Sequence, residues 1–137
     1  MAKKSPLQIL EETIGAMDAA FAEHLFATQA KLAKANPKDT GRMASSWFIA
    51  EGSASEDVRP DGWAAPGSEK VDLPLYNNRI TFRGEWHITN NVPYAERLAF
   101  DPLYSKGGAG GPAWFTNIEV DMPKDLEKRM SKHLRAL

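Results

Sequence analysis

A long amphipathic helix at the N-terminus constrains the fold more than any other feature. Residues 5–8 (SPLQ) contain a serine cap, a proline at the first helical position and a glutamine that completes a capping box. Asn36-Pro37 ends the pattern, because the residue before proline avoids helical angles. Before this stop, apolar residues recur at intervals of three and four, which predicts one helix of about 28 residues. The apolar residues that define its stripe are Leu7, Leu10, Ile14, Met17, Phe21, Leu25 and Leu32.

Such a helix is longer than a compact domain of this size. At a rise of about 1.5 Å per residue it measures about 42 Å. A compact domain of 137 residues is only about 37 Å across. We therefore expect the helix either to break, with Gly15 as the candidate position, or to project and pack on something else.

The middle of the chain predicts a small sheet. Residues 46–50 (SWFIA) are rich in strand formers and stop at Glu51-Gly52. The alternating runs 79–83 and 86–90 are joined by Gly84-Glu85, which predicts a β-hairpin with a type II′ turn. One face of this hairpin is apolar and the other polar, so we expect the sheet to be antiparallel.

The last part of the chain predicts helices around a glycine-rich loop. Residues 94–100 suit one or two helical turns, and residues 104–112 contain four glycines. Apolar residues spaced by four predict a final helix from Ala113 to Leu137, which Pro123 is expected to kink or split. We find no repeat and no linker. The chain is predicted to be a single α+β domain over 1–137, with a long N-terminal helix, a small antiparallel sheet with a β-hairpin and a C-terminal helix.

Composition excludes several chemistries. The chain has no cysteine, which rules out disulfides, thiolate zinc sites, iron–sulfur clusters and a cysteine nucleophile. Its three histidines lack metal-ligand spacing, and we predict His24 to be a boundary core residue. No apolar stretch approaches the roughly 18 residues of a membrane span, and the N-terminus lacks the apolar core of a signal peptide. We predict no enzyme activity and no catalytic, metal or cofactor site.

Charge is nearly balanced overall but unevenly distributed. The net charge of −1 disfavours sequence-independent nucleic-acid binding. Between Glu51 and Asp72 there are six acidic residues against two basic ones, whereas between Lys124 and Arg135 there are five basic residues against two acidic ones. These segments are either two solvated surfaces or a complementary pair that meets between subunits.

Of the four tryptophans, one is predicted to be available for contact with a partner. Trp47, Trp86 and Trp114 fall at positions predicted to face the core, whereas Trp63 lies in the acidic loop. One alternative function is therefore a monomeric binding module that uses Trp63 and the glycine-rich loop. Another is a small hydrolase that uses His87 with a nearby carboxylate, Glu85 or Asp101.

Two segments together resemble a known family. Residues 37–47 (PKDTGRMASSW) and 86–98 (WHITNNVPYAERL) resemble the small neck or tail-completion proteins of long-tailed bacteriophages. The resemblance implies a structural protein of the virion neck, assembled in the host cytoplasm. It implies a homo-oligomeric ring, with six copies favoured and twelve possible, that completes the tail and joins it to the head. A tail-terminator ring is the alternative position.

The resemblance also implies partners and motif residues, and the ring that it implies needs contact residues between its copies. The partners would be head-completion, tail-terminator or tail-tube proteins, with DNA passing through the ring without sequence-specific binding. The residues that carry the fold and assembly motif are Asp39, Thr40, Gly41, Arg42, Trp47, Asn90, Asn91, Pro93 and Tyr94. The candidates for subunit contacts are Glu56, Asp57, Trp63, Arg97, Tyr104, Lys106, Lys128, Arg129 and Lys132.

Overall fold

The computed structural model describes residues 3–37, 41–63, 71–100 and 113–137. Its elements are α1 (Pro6–Ala35), β1 (Trp47–Glu51), β2 (Trp86–Asn90), α2 (Ala95–Phe100) and α3 (Trp114–Arg135). This confirms the predicted α+β class, with a long N-terminal helix, a two-stranded antiparallel sheet and a C-terminal helix. The predicted glycine-rich loop lies outside the described residues, as do Asp39, Thr40, Asp101, Tyr104 and Lys106.

The start and end of α1 follow the local sequence signals. The Ser5 hydroxyl accepts a hydrogen bond from the Gln8 backbone N–H at 3.1 Å, and the Gln8 side chain accepts one from the Ser5 N–H at 2.8 Å. Asn36 caps the other end, where its N–H donates to the Leu32 carbonyl. The helix does not break at Gly15. It is continuous over 30 residues, about 45 Å, and residues 3–12 are all exposed, so the N-terminal end projects.

α3 packs antiparallel along the second half of α1. Glu23 contacts Arg129 and His133 near the end of α3, whereas Lys31 reaches Asp125, which lies earlier in that helix. Of the two outcomes predicted for Pro123, a kink or a split, the split does not occur, because α3 is one helix with Pro123 inside it. An interior proline removes one helical hydrogen bond and crowds the carbonyl of residue i−4, and packing of α3 on α1 stabilises the turns on both sides of it.

The strand partner of β2 differs from the prediction. β2 pairs with β1, from Trp47 opposite Asn90 to Glu51 opposite Trp86, and residues 79–83 are not a strand. The Phe82 N–H donates instead to the Asp18 carboxylate on α1 at 3.1 Å. The Thr81 carbonyl accepts from the indole N–H of Trp86 at 2.7 Å. These bonds occupy the polar groups that a hairpin ladder would need.

Two apolar clusters form the core, a larger one between α1, the sheet, α2 and α3 and a smaller one between α1, the sheet and residues 76–80. In the larger cluster Trp47 and Trp114 are buried and meet edge to face, with ring centroids 6.2 Å apart. In the smaller cluster Ile80 packs with Leu25 and Ile49. The core positions predicted for Trp47 and Trp114 are confirmed, while Trp86 is only partly buried, against Phe21 and Tyr76.

Candidate functional site

The described residues 41–46 of the first motif segment form a largely buried turn before β1. Gly41 has a φ of 78°, a left-handed conformation that favours glycine, and its carbonyl accepts the Ser45 N–H at 2.9 Å. Ser45 and Ser46 are fully buried. The Arg42 side chain leaves the turn and donates from Nε to the Arg59 carbonyl at 2.8 Å. Arg42 thus ties the turn to the loop that follows β1.

Arg59 joins this loop to the motif turn. Its Nε donates to the Ser45 carbonyl at 3.2 Å, and its guanidinium also donates to the Asp72 carbonyl at 3.0 Å. Its backbone N–H donates to the Ser46 hydroxyl at 3.2 Å. The guanidinium carbon lies 5.1 Å from the centre of the Trp63 ring, within the range of a cation–π contact. Trp63, predicted to be available to a partner, is therefore half-buried against Arg59.

Asparagine side chains of the second motif segment bond to the first segment, through Asn90, and to the loop after β1, through Asn91. Asn90 Nδ2 donates to the Met43 carbonyl at 2.7 Å, and its Oδ1 accepts the Val92 N–H at 3.2 Å. Asn91 Nδ2 donates to the Ser55 carbonyl at 2.6 Å and to the Asp57 carbonyl at 3.1 Å. The two motif segments, which 38 residues separate in the sequence, therefore form one hydrogen-bonded unit.

Trp47 is fixed by two polar partners besides its apolar contacts. Its indole N–H donates to the Asn36 side chain at 3.2 Å, and its carbonyl accepts from the Gln29 side chain at 2.8 Å. Pro93 and Tyr94 form the exposed turn before α2. A cavity of about 260 Å³ opens beside this unit. Among its lining residues are Met43, Trp47, Asn90, Asn91 and Phe115.

The candidate contact residues divide into exposed ones and ones bonded within the chain. Glu56 and Asp57 are exposed in the loop after β1, and Arg97 is exposed on α2. Lys128 and Lys132 are exposed on α3, where Lys132 lies 4.0 Å from Glu23. Arg129, also predicted to be a contact residue, bonds to carboxylates of its own chain.

A cluster of charged groups, which the sequence patterns did not reveal, joins α1 to α3. Arg129 donates to Asp125 at 2.9 Å and to Glu23 at 2.6 Å. His24 Nδ1 and Asp125 Oδ2 are 2.7 Å apart, as are His133 Nε2 and Glu23 Oε2. His24 is buried, as predicted. These partners lie about 100 positions apart in sequence, so only the Asp125–Arg129 spacing of four offered a local signal.

Hydrogen bonds within this cluster stabilise the charged forms of Asp125, Glu23 and Arg129. Burial opposes the charge on Asp125, but hydrogen bonds from Arg129 and His24 outweigh it and lower the pKa of Asp125 to about 2. Hydrogen bonds from His133 and Arg129 lower the pKa of Glu23. The Asp125 carboxylate raises the pKa of Arg129. The cluster is therefore an ionised clamp between the two long helices.

Within the described ranges, no group of three or more His, Cys, Asp or Glu side chains is arranged to hold a metal ion. No helix among those ranges has the length and apolar character of a membrane span. His87 Nε2 on β2 lies 3.4 Å from Oε1 of Glu85, the residue that precedes the strand, and it has no hydrogen-bond partner among the described residues.

Comparison of the chain with protein-family models, with curated proteins and with solved structures finds no match in any of the three.

Proposed function

We propose that this chain is a ring-forming structural protein of a phage neck, which completes the tail end and joins head to tail around the DNA channel. Support comes first from residues 37–47 and 86–98, which resemble that family. Their described residues bond to each other and to the core. Their polar side chains thus act in building a rigid corner. A rigid corner suits a subunit that has to present fixed surfaces to its neighbours.

The observation that carries the proposal is a pair of exposed surfaces with opposite charge. The acidic surface lies at the end of β1 and on the loop after it, and the basic surface lies on the outward side of α3. The acidic surface comprises Glu51, Glu56, Asp57 and Asp61. The basic surface comprises Lys124, Lys128, Lys132 and Arg135.

Two different patches on one chain are what a ring requires. A closed ring forms when one patch of each copy meets a different patch of the next copy. Opposite charge on the two patches steers the encounter and sets the register. We favour six copies, which match the symmetry of a tail, over twelve. The net charge of −1 suits a channel wall that lets DNA pass without gripping it.

The position in the particle and the partners follow from the resemblance. The ring would contact head-completion, tail-terminator or tail-tube proteins in the virion neck, after assembly in the host cytoplasm. A tail-terminator ring is the alternative position for the same subunit.

The test is the mass of the purified protein across concentration, by light scattering, alone and with the adjacent tail protein. We expect six or twelve times 15.1 kDa in at least one of the two conditions. Lys128→Glu should abolish the ring, and adding Asp57→Lys in the same chain should restore it. Lys34→Glu, an exposed reversal outside both surfaces, should leave the ring intact. The absence of any ring in both conditions would contradict the proposal.

A further inference from the structure

The outer edge of β2 carries backbone groups that have no partner among the described residues. Within those ranges the sheet consists of β1 and β2, and the Gly52 N–H donates to the Glu85 carbonyl at 2.7 Å in the register of this pair. Because hydrogen-bonded pairs alternate along an antiparallel ladder, the backbone N–H and C=O groups of Trp86, Ile88 and Asn90 point away from β1. No hydrogen bond to these groups occurs within the described part of the chain. β2 therefore presents a row of donors and acceptors to a further strand.

The outer edge of β1, by contrast, is covered by the chain itself. The Trp47 carbonyl, which points away from β2, accepts a hydrogen bond from Gln29 of α1 at 2.8 Å. Gln29 also donates to the Pro74 carbonyl at 3.3 Å, so α1 and the segment around Pro74 lie along this edge. All five residues of β2 are partly exposed. The β2 edge is therefore the side of the sheet that another molecule can reach.

A cavity beside the β2 edge has room for a large apolar side chain. It is lined by residues 88–91 and by Ala95, Ala99 and Phe100 of α2, and its volume is about 260 Å³. A cavity of about 150 Å³ already holds a benzene ring. Phe100 is 59% exposed and meets Phe115 edge to face, with ring centroids 5.3 Å apart. We call the β2 edge and this cavity together the β2–α2 groove.

The orientation and charge of the groove define what fits it. Trp47, Ile88 and Asn90 share one face of the sheet, and all three line the cavity. A strand added beside β2 with a residue opposite Ile88 therefore directs the side chain of that residue toward the cavity. Glu96, exposed on α2, is the one charged residue among the described residues that line the cavity. Its carboxylate favours a lysine or arginine on the segment that binds.

We propose that the β2–α2 groove binds an extended segment of a partner protein, which adds to β2 as a third strand. The segment has an aromatic or large aliphatic side chain that enters the cavity and a basic residue nearby that pairs with Glu96. Main-chain hydrogen bonds to the β2 edge supply affinity, and the cavity selects the side chain. This site does not rest on the proposed ring, whose contacts are the charged surfaces of the loop after β1 and of α3.

The first test uses the peptide KTVFVTK, blocked at both ends, and the full chain. Calorimetry should show saturable binding with a Kd below about 1 mM, and replacing the central phenylalanine of the peptide with alanine should weaken it at least about 10-fold. Hydrogen exchange read by mass spectrometry should slow in the fragment that covers residues 86–91. Absence of binding up to about 2 mM peptide, or protection only outside the groove, would overturn the proposal.

The second test separates strand addition from simple filling of the cavity, without altering the protein. Two peptides are N-methylated, one at the central phenylalanine and one at the valine that follows it. Only one of these N–H groups faces Ile88, the phenylalanine N–H in an antiparallel strand and the valine N–H in a parallel one. One methylation should therefore weaken binding at least about 10-fold and the other should have little effect. Equal effects of the two methylations would refute strand addition.

The third test concerns the charge at the groove. Glu96→Gln should weaken binding of KTVFVTK about 3-fold at low salt, because it removes an exposed ion pair. Glu127→Gln is the matched control, since Glu127 is an exposed carboxylate on α3 outside the groove. Equal weakening by both substitutions would mean that overall charge holds the peptide and would contradict the role of Glu96. Lys128→Glu should abolish the proposed ring and leave peptide binding intact, which distinguishes failure of one proposal from failure of the other.

Discussion

Replacing Asp125 with asparagine removes the charge at the centre of the clamp between α1 and α3. The Asp125 side chain is only 16% exposed and bonds to both His24 and Arg129. Its pKa falls from 3.8 to about 2 on folding. At about 1.4 kcal/mol for each tenfold change in proton affinity, ionised Asp125 stabilises the fold by about 2 to 3 kcal/mol at neutral pH.

The sign of the pH dependence follows from the lowered pKa. The folded state holds the Asp125 proton less tightly than the unfolded state, so the stabilisation is complete above about pH 4 to 5. It is lost as the pH falls through 3.8 to about 2. Asp125→Asn should therefore lower the free energy of unfolding by about 2 to 3 kcal/mol at pH 7 and should differ little from the native chain near pH 2.

Urea denaturation followed by circular dichroism measures this directly, at one protein concentration and at pH 7, 4 and 2. Asp121→Asn is the matched control, because Asp121 is exposed one turn earlier on α3. It should change the unfolding free energy by less than about 0.5 kcal/mol. If Asp125→Asn loses the same stability at every pH, the loss comes from packing, and the argument from ionisation is wrong.

Three further substitutions test single contacts. Asn90→Ala leaves the Met43 carbonyl and the Val92 N–H without their side-chain partner and should cost about 1 to 3 kcal/mol in urea denaturation. Asp18→Ala removes the acceptor of the Phe82 N–H, so amide hydrogen exchange at Phe82 should accelerate while exchange in β2 stays slow. Ser5→Ala removes the cap of a projecting helix end and should lower helical content with a loss of no more than about 1 kcal/mol.

Elements with local signals were predictable from sequence. The capping box at Ser5 and the stop at Asn36-Pro37 fix the ends of α1 within a few residues, because both depend on neighbouring side chains. The order of elements along the chain and the burial of Trp47 and Trp114 followed from spacing alone.

The prediction of a strand at residues 79–83 is wrong, and the alternating pattern alone carries no information on the cause. The pattern predicts which face is apolar but not which strand is the partner, and the partner of β2 lies 35 or more positions earlier. Asp18, more than 60 positions away, holds the Phe82 N–H. One prediction for residues 79–83 is confirmed, since Ile80 is buried in the core, although the segment is irregular and not a strand.

The candidate site was predictable in part. The motif residues Gly41, Arg42 and Asn90 were chosen by resemblance, and their hydrogen bonds are to neighbouring backbone that no local rule identifies. Arg129 is predicted to be a contact residue because it belongs to the basic segment 124–135, which could meet the acidic segment 51–72 of a neighbouring copy. The spacing of four to Asp125 is a local signal on α3, whereas the second partner, Glu23, is brought to Arg129 only by the packing of α3 on α1.

One face of α1 is polar where it is buried and apolar where it is exposed. This is the reverse of the arrangement that would best stabilise a self-contained domain. Where α3 covers this face, it presents His24 and Thr28, both buried. Beyond α3, the same face presents Leu7 and Leu10, both mostly exposed. Burial of apolar area is the main favourable term in folding, so a chain stabilised only by its own contacts gains nothing from leucines at the bare end. Within the described residues, this face has polar residues under α3 and leucines on its uncovered end, which is the distribution that the proposed subunit of an assembly would have.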